Sequence, residues 1–290
     1  MLYVCATPIG NLEDITLRVL NALRECDLIA AEDTRHTRGL LTHYDIHKPL
    51  FSYHEHNKAQ AGPVLLERLR QGESIALVSD AGLPGISDPG ADLIRLCRAE
   101  GLPVTVLPGA SAGVTALVLS GLDSRRFVFE GFLPAEKKER RQRLAALSRE
   151  ERTVLLYEAP HRLEKTLTEL LDAVGDRQLV LVRELTKKFE EAPGGRISEH
   201  LAGFAQKPPR GEYVLVLSGR EAGARPEEAT PAQTLAEEMQ SLLAAGLSEK
   251  EAMKQAARNR NLGKREVYRQ WLLAKAGETP ESAAEETEEE

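Results

Sequence analysis

The stretch IALVSDAGLPGISDPG, residues 75–90, decides how the rest of the chain is organised. Its first four residues form an apolar run of the length that suits a strand buried on both faces. The run ends at Ser79 and Asp80, and five Gly or Pro residues occur among the next ten positions. A helical pattern follows, with Asp88 placed to cap it and Pro89 suited to its first turn. This order predicts an α/β sheet that binds a ligand at its carboxyl edge, and a tight turn without a ligand is the alternative.

The alternation of strand and helix extends over residues 1–120 and predicts a parallel sheet covered on both faces. Apolar runs predict strands at residues 2–6, 28–31, 75–78 and 104–107, with a further short strand within 51–57. Helical spacing occurs at residues 16–26, 58–71, 91–97 and from 112 to about 119. The abrupt change from an apolar strand to the polar residues 32–36 indicates a position at the rim of the sheet.

A second α/β domain is expected at residues 121–220. Its predicted strands are 126–131, 153–157, 179–183 and 213–217, and its predicted helices are 137–149, 161–174 and 197–206. A linker at 221–234 leads to a small helix-turn-helix-like module at 235–276, in which Ser248 and Glu251 fit a capping box. The acidic residues 277–290 are expected to be disordered.

The composition is that of a globular protein, with 42% hydrophobic and 29% charged residues in a chain of 290. No apolar run approaches the roughly 18 residues of a membrane helix, and the amino terminus lacks the pattern of a signal peptide, so we expect a cytoplasmic protein. The three cysteines have neither disulfide nor metal spacing and are expected to be reduced core residues.

Charge is distributed unevenly along the chain. The seven glutamates of residues 278–290 equal the whole net charge of −7, so the remainder is close to neutral. Residues 248–275 carry eight basic and three acidic side chains, and residues 135–143 carry five basic and two acidic ones. Such local basic patches are what a phosphate backbone would contact, although each is explained equally well as a solvated helix face.

Three loops at predicted strand ends, residues 7–11, 80–90 and 108–112, consist mainly of small residues. Small residues let a backbone approach a flat ligand closely and bond to it with its own N–H and C=O groups, which suits an adenosine-type cofactor. Neither GxGxxG nor GxxxxGK[ST] is present. The histidines and acidic residues show no metal-binding spacing, so no metal site is assigned.

Eight stretches of the sequence resemble the tetrapyrrole methylase superfamily, and within it the branch that methylates small-subunit ribosomal RNA. They are ATPIGNLEDIT (6–16), DLIAAEDTRHT (27–37), ALVSDAGLPGISDPG (76–90), LPGASA (107–112), FEGFLP (129–134), YEAPHRL (157–163), VRELTKKFEE (182–191) and GEYVLVL (211–217). The resemblance implies two α/β domains with a cofactor cleft between them, and a homodimer. It further implies transfer of a methyl group from S-adenosylmethionine to the ribose 2′-oxygen of a cytidine in the decoding region of 16S rRNA.

The cofactor is expected to contact the three loops and one tyrosine of the second domain. The candidate residues are Pro8, Ile9, Gly10, Asp80, Ala81, Gly82, Pro84, Gly85, Ile86, Pro108, Gly109, Ala110, Ser111, Ala112 and Tyr157. A ribose hydroxyl needs a base within hydrogen-bond reach. The candidate bases are Asp33, Asp80, His56 and Glu158, with His54 also considered. Asp80 could instead cap its loop, Asp33 could pair with Arg35, and both histidines could be structural.

RNA phosphates would be bound by basic side chains near the predicted cleft and in the C-terminal module. The candidates are Arg35, His36, Arg162, Arg183, Lys187, Lys264 and Arg265. Two alternative functions remain at this point: methylation of a small tetrapyrrole-like acid, and a non-enzymatic RNA-binding adaptor. The basic C-terminal helices favour RNA over a porphyrinoid substrate, and binding of S-adenosylmethionine would separate an enzyme from an adaptor.

Overall fold

A computed structural model describes residues 1–205, 208–220, 235–244, 246–259 and 264–276. The chain divides into two compact units, Met1–Ala222 and Gly223–Glu290. The first unit contains two five-stranded sheets, and the described part of the second consists of helices. None of the helices in the described ranges is both long and apolar enough to cross a membrane.

The first sheet is parallel throughout, as the alternation of strands and helices predicts. Its strands are β1 (Leu2–Cys5), β2 (Leu28–Ala31), β3 (Leu50–Ser52), β4 (Ile75–Val78) and β5 (Val104–Leu107), in the order β3-β2-β4-β1-β5. The helices of this half are α1 (Leu17–Glu25), α2 (Thr34–His43), α3 (Lys58–Arg70) and α4 (Gly90–Ala99). Helix α5 (Ala112–Ser120) follows β5 and packs against the second sheet instead.

Strand β4 lies at the centre of this sheet and is buried on both faces. Because side chains alternate along a strand, Ile75 and Leu77 pack into one hydrophobic core while Ala76 and Val78 pack into another. The three cysteines are free and buried within these cores. The strand predicted at 75–78 is thereby confirmed, and its burial explains its uniformly apolar sequence.

The loop after β4 is held in shape by Asp88. Its carboxylate accepts hydrogen bonds from the amides of Gly85 (2.8 Å) and Gly90 (2.7 Å), so it joins the middle of the loop to the first residue of α4. Pro89 occupies the N-cap position of α4 and provides no side-chain hydrogen bond. Asp88, one residue earlier, provides it by accepting from the amide of Gly90, as the sequence predicts. Gly82 and Gly85 have φ angles of 80° and 93°, which side chains other than glycine rarely adopt.

The second sheet is mixed. It comprises β6 (Phe127–Phe132), β7 (Thr153–Glu158), β8 (Gln178–Arg183), β9 (Gly194–Arg196) and β10 (Tyr213–Leu217), in the order β6-β7-β10-β8-β9. Strand β10 runs antiparallel to both β7 and β8. Helices α6 (Lys137–Leu147), α7 (Pro160–Val174) and α8 (Ile197–Phe204) belong to this half of the unit.

Two elements were absent from the predictions, and each has a physical reason. Helix α2 buries only Thr37 and Leu41, so its sequence lacks the apolar stripe that marks a helix. Strand β9 is three residues long and contains two glycines, which have a low strand propensity.

The second unit contains α9 (Leu235–Ala244), α10 (Glu249–Asn259) and α11 (Lys264–Ala276). Their small core surrounds Met239 and Trp271. The carboxylate of Glu251 accepts hydrogen bonds from the amide and the hydroxyl of Ser248, at 3.1 and 2.6 Å. The predicted linker at 221–234 and acidic tail at 277–290 lie outside the described residues, and the domain boundaries and the helix-turn-helix character stay predictions.

Candidate functional site

The three small-residue loops meet at the carboxyl edge of the first sheet. Thr7 and Gly82 exchange two backbone hydrogen bonds of 2.9 and 3.0 Å, and the Thr7 hydroxyl donates to the carbonyl of Ser79 at 3.1 Å. A Cβ atom added to Gly109 would lie only 2.8 Å from the Cβ of Ala6. The backbones therefore approach so closely that the loops form one continuous surface.

A cavity of about 550 Å³ lies between this surface and the second sheet, a size that suits a small organic ligand. On the first side it is lined by Ile9, Glu32, Ser79, Asp80, Ala81, Gly82, Leu83, Ile86, Ser87, Asp88, Ser111 and Ala112. On the second side it is lined by Phe132, Tyr157, Glu158, Val182, Arg183, Glu184, Leu185, Lys187, Gly211, Glu212, Tyr213 and Val214.

About half of the predicted cofactor residues line this cavity. They are Ile9, Asp80, Ala81, Gly82, Ile86, Ser111, Ala112 and Tyr157. The others, Pro8, Gly10, Pro84, Gly85, Pro108, Gly109 and Ala110, belong to the same loops but are not among its lining residues. Gly10 contacts the second half of the unit instead. A Cβ atom added there would lie 2.7 Å from the carbonyl oxygen of Leu185, so the absence of a side chain allows the loop after β1 to pack against the loop after β8.

Tyr157 connects the two walls of the cavity. Its hydroxyl accepts a hydrogen bond of 3.1 Å from the amide of Gly113 at the start of α5. Its ring makes edge contacts with Phe129 and Phe132, at centroid distances of 5.1 and 5.6 Å. Burial raises the pKa of the Tyr157 phenol. The ring is thus held in one orientation as an apolar surface of the cavity.

Three carboxylates of the first half line the cavity: Glu32 and Asp80 follow the neighbouring strands β2 and β4, and Asp88 lies in the loop before α4. The Asp88 carboxylate accepts hydrogen bonds from the amides of Gly85 and Gly90. Asp80 accepts a hydrogen bond from the amide of Asp33 at 3.0 Å. Burial, followed by the negative charges of Asp80 and Asp88, raises the pKa of Glu32. Within the described residues, no three His, Cys, Asp or Glu side chains are grouped in a way that would hold a metal ion.

The four predicted bases occupy different surroundings. Asp80 and Glu158 line the cavity, whereas Asp33 and His56 do not. Asp33 caps α2 and forms a two-pronged contact with Arg35, whose hydrogen bonds hold the pKa of this carboxyl well below its usual range. His56 is exposed, with its ring 6.0 Å from that of His54.

Glu158 is 1% exposed, and both of its carboxylate oxygens have hydrogen-bond donors. One oxygen accepts from the amide of Ala159 at 2.9 Å, and the other from the hydroxyl of Thr166 at 2.6 Å. Thr166 in turn accepts from Arg140, which is buried and paired with Glu169 at 2.6 Å. This network joins β7 to α6 and α7, so the geometry favours a structural role for Glu158.

Each predicted RNA-binding residue of the first unit that carries a permanent positive charge has an acidic neighbour. The ion pairs are Arg35 with Asp33 (2.9 Å), Arg162 with Glu158 (3.3 Å), Arg183 with Glu191 (2.7 Å) and Lys187 with Glu184 (3.2 Å). Only Arg183 and Lys187 line the cavity, and His36 is exposed on α2. Lys264 and Arg265 lie in α11, and their side chains lie outside the described residues.

Much of the second wall was not among the predicted site residues, and neither were five lining residues of the first wall: Glu32, Ser79, Leu83, Ser87 and Asp88. Residues 211–214 reach the cavity because β10 runs antiparallel between β7 and β8, a pairing that the sequence pattern does not specify. Glu184 and Thr186 adopt φ angles of 52° and 65° in the loop after β8, a conformation uncommon outside glycine. The available signal was that these residues fall within the stretches that carry the family resemblance.

Comparison with known proteins defines the class of this protein. The model of the tetrapyrrole (corrin/porphyrin) methylases matches residues 1–199. The chain belongs to this family. Its fold is also that of a uroporphyrin-III C-methyltransferase from Thermus thermophilus (TM-score 0.54, 22% identity) and a diphthine synthase (TM-score 0.57, 16% identity). These alignments cover 74% and 75% of this chain, and 93% and 89% of the respective structures.

Relatives of higher sequence identity narrow the class. The chain is 47% identical over 270 residues to a Bacillus subtilis protein called ribosomal RNA small subunit methyltransferase I, covering 92% of each chain. Proteins of the same name from Synechocystis and Escherichia coli O157:H7 are 47% and 46% identical. These matches cover 92% of this chain, and 96% and 93% of the respective relatives. Within the tetrapyrrole methylases, the chain groups with the proteins of that name.

Replacing Glu158 with alanine tests its structural role. Glu158→Ala leaves the buried Thr166 hydroxyl without its acceptor, so we expect the free energy of unfolding to fall by about 1–3 kcal/mol. Urea denaturation measures this change. Glu164→Ala, an exposed position of the same helix, is the control and should remain within about 0.5 kcal/mol of the parent. A Glu158→Ala protein of unchanged stability that had lost activity would instead return Glu158 to the catalytic candidates.

Proposed function

We propose that this protein transfers a methyl group from S-adenosylmethionine to the ribose 2′-oxygen of a cytidine in the decoding region of 16S rRNA. The observation that carries the proposal is the 46–47% identity, over 92% of the chain, to three proteins named ribosomal RNA small subunit methyltransferase I. The cavity between the two sheets supports it. An enzyme acting on this RNA would work in the cytoplasm.

The residues around the cavity fit an adenosine-type cofactor. Backbone groups of the loops at 80–90 and 108–112 are accessible because the lining includes Ala81, Gly82, Ser111 and Ala112. Tyr157 offers a fixed aromatic face, and Ile9 an apolar contact. One of the structural relatives, a Thermus uroporphyrin-III C-methyltransferase (TM-score 0.52), is described as a complex with S-adenosyl homocysteine. When bound, S-adenosylmethionine supplies an electrophilic methyl group on a positively charged sulfur.

Among the four predicted bases, Asp80 has the most suitable position. It lines the cavity, and of its two carboxylate oxygens only Oδ1 accepts the hydrogen bond from the Asp33 amide. Its negative charge would also complement the sulfonium of the cofactor. Asp33 is a weaker candidate because its ion pair with Arg35 lowers its proton affinity.

The RNA would be bound by exposed cations of the first unit and by basic residues of the second unit. Lys187 and Arg35 have side chains that are 46% and 88% exposed, and exposed ion pairs contribute little, so either cation can exchange its carboxylate for a phosphate. The eight basic residues at 248–275 would increase the affinity for the phosphate backbone of the RNA. This distribution favours RNA over a small tetrapyrrole-like acid.

Methyl transfer is tested by mapping 2′-O-methyl groups in small-subunit RNA, using S-adenosylmethionine with purified subunits or RNA. We expect Asp80→Asn to lower kcat at least about 10-fold, because the negative charge that would complement the sulfonium is lost. Asp33→Asn keeps a good helix cap and serves as the matched control, with a smaller effect. Calorimetry with S-adenosylmethionine measures cofactor binding separately. Binding without methylation of any RNA would favour the adaptor or small-molecule alternatives.

Removal of the second unit tests its contribution to RNA binding. For a chain ending at Ala222 we expect weaker binding of 16S rRNA, with S-adenosylmethionine affinity retained in the first unit. The logarithm of the RNA association constant falls linearly with the logarithm of the salt concentration. For every phosphate that the shortened chain no longer binds, this slope should become shallower by roughly 0.7–0.9. Filter binding at several salt concentrations provides the measurement. An unchanged slope would contradict a role for the basic helices in RNA binding.

We also propose that the protein is a homodimer. Strands β5 and β6 are sheet edges, and α5 next to the cavity is apolar on all sides, with Val114 and Val118 50% and 71% exposed. An exposed apolar helix is typical of a subunit interface, and open sheet edges offer unpaired backbone groups to a second chain. Light scattering should report a dimer that Val118→Asp converts to a monomer. Leu17→Asp, at a position 79% exposed on α1, is the control and should leave the dimer intact.

A further inference from the structure

We propose that Glu32, which was not among the predicted bases, is the group that accepts the proton of the ribose 2′-hydroxyl. This inference rests on the proposed methyl transfer and names a further catalytic residue for it. Glu32 follows directly after β2 and lines the cavity on the side of the first sheet. Its neighbour across the sheet is the end of β4, because Ala31 pairs with Val78 in the parallel register. Glu32 and Asp80 therefore emerge side by side into the same cavity.

The bonding of the other cavity carboxylates favours Glu32. Asp88 accepts hydrogen bonds from two loop amides, and Glu158 from Ala159 and Thr166. Glu184 is engaged with Lys187 at 3.2 Å. Each of these carboxylates stabilises the protein around the cavity, and proton transfer at any of them would disturb that structure.

Asp80 and Glu212 complete the set of carboxylates that line the cavity. Glu212 is exposed to solvent just before β10, where water weakens its interactions. Asp80 is tied through Oδ1 to the Asp33 amide. Its negative charge lies beside Glu32 and raises the pKa of that carboxyl.

The electrostatic surroundings make Glu32 a stronger base than an ordinary glutamate. Partial burial is the largest cause, and the negative charges of Asp80 and Asp88 add to it, so the pKa of Glu32 is raised. The Asp80 amide and the ring of His54 act in the opposite direction and favour the charged form. A carboxylate with increased proton affinity is suited to general base catalysis.

His54 is placed to influence this carboxylate. It follows β3, the strand beside β2, and its backbone amide is fixed by a 2.8 Å hydrogen bond to Asn57. Its Nδ1 atom is buried and has no hydrogen-bond partner among the described residues. The pairing of β3 with β2 thus places His54 near the same end of the sheet as Glu32.

The proposed step moves one proton and one methyl group. The ribose oxygen gives its proton to the Glu32 carboxylate and forms a bond to the methyl carbon. The carbon–sulfur bond breaks, and its electron pair stays on sulfur, which becomes a neutral thioether. The proton then leaves Glu32 to solvent before the next cycle, so no oxidant or metal is required.

The test compares Glu32→Gln with the parent protein in methylation of small-subunit RNA. We expect kcat to fall at least about 100-fold, because glutamine has nearly the same shape and cannot accept the proton. The affinity for S-adenosylmethionine, measured by calorimetry, should change less than about 3-fold. Glu32→Asp should recover part of the rate. Glu25→Gln, at the exposed end of α1, is the control and should retain the parental rate.

The pH dependence of kcat/KM distinguishes proton transfer from a structural effect. The parent should lose activity on the acidic side as Glu32 becomes protonated. Asp80→Asn removes a negative charge that raises the pKa of Glu32, so this limb should move to lower pH. A Glu32→Gln protein that binds S-adenosylmethionine and keeps more than a tenth of the parental kcat would overturn the assignment. Absence of methyl transfer by the parent protein would refute the proposed function itself.

Discussion

The structure depends on the close approach of two loop backbones at the carboxyl edge of the first sheet. Thr7 and Gly82 form an isolated two-hydrogen-bond bridge, and the Thr7 hydroxyl reaches the carbonyl of Ser79. Such a close approach requires that no side chain lies between the backbones. Gly82 allows it by adopting a positive φ angle, and Gly109 allows it because a Cβ atom there would collide with Ala6. The bridge turns separate strand ends into one wall that can hold a ligand.

The opposite wall of the cavity depends on the backbone conformation of the loop after β8. This loop packs closely against Gly10, and within it Glu184 and Thr186 adopt left-handed conformations. Two backbone hydrogen bonds between Arg183 and Glu191 join the two ends of this loop. Uncommon backbone conformations of this kind persist only where the surrounding structure holds them, and they cluster at functional sites. The cavity is thus shaped by backbone geometry on both sides, and its side chains adjust polarity within it.

Charge in this protein is arranged locally in pairs. Arg183 and Arg140 are largely buried and bonded to glutamates, so they stabilise the fold. Arg35 and Lys187 are exposed enough for water to weaken their ion pairs, which leaves them available to a phosphate. The raised pKa of Glu32 also follows from burial, which is its largest cause, and the negative charges of Asp80 and Asp88 add to it. Burial therefore decides whether a charged residue serves the structure or the site.

The sequence by itself determined the parallel first sheet, the strand at 75–78 and the position of the glycine-rich loops, because buried strands and tight turns leave local signatures. It also carried the family resemblance, and about half of the residues that it predicted for the cofactor line the cavity. The tertiary structure alone decided the antiparallel place of β10 and the involvement of Glu158 in a buried network. It alone brought Glu32 beside Asp80, since residues 48 positions apart meet only through the pairing of β2 with β4. Local periodicity specifies elements, whereas long-range strand order and ion pairing depend on which surfaces are buried together.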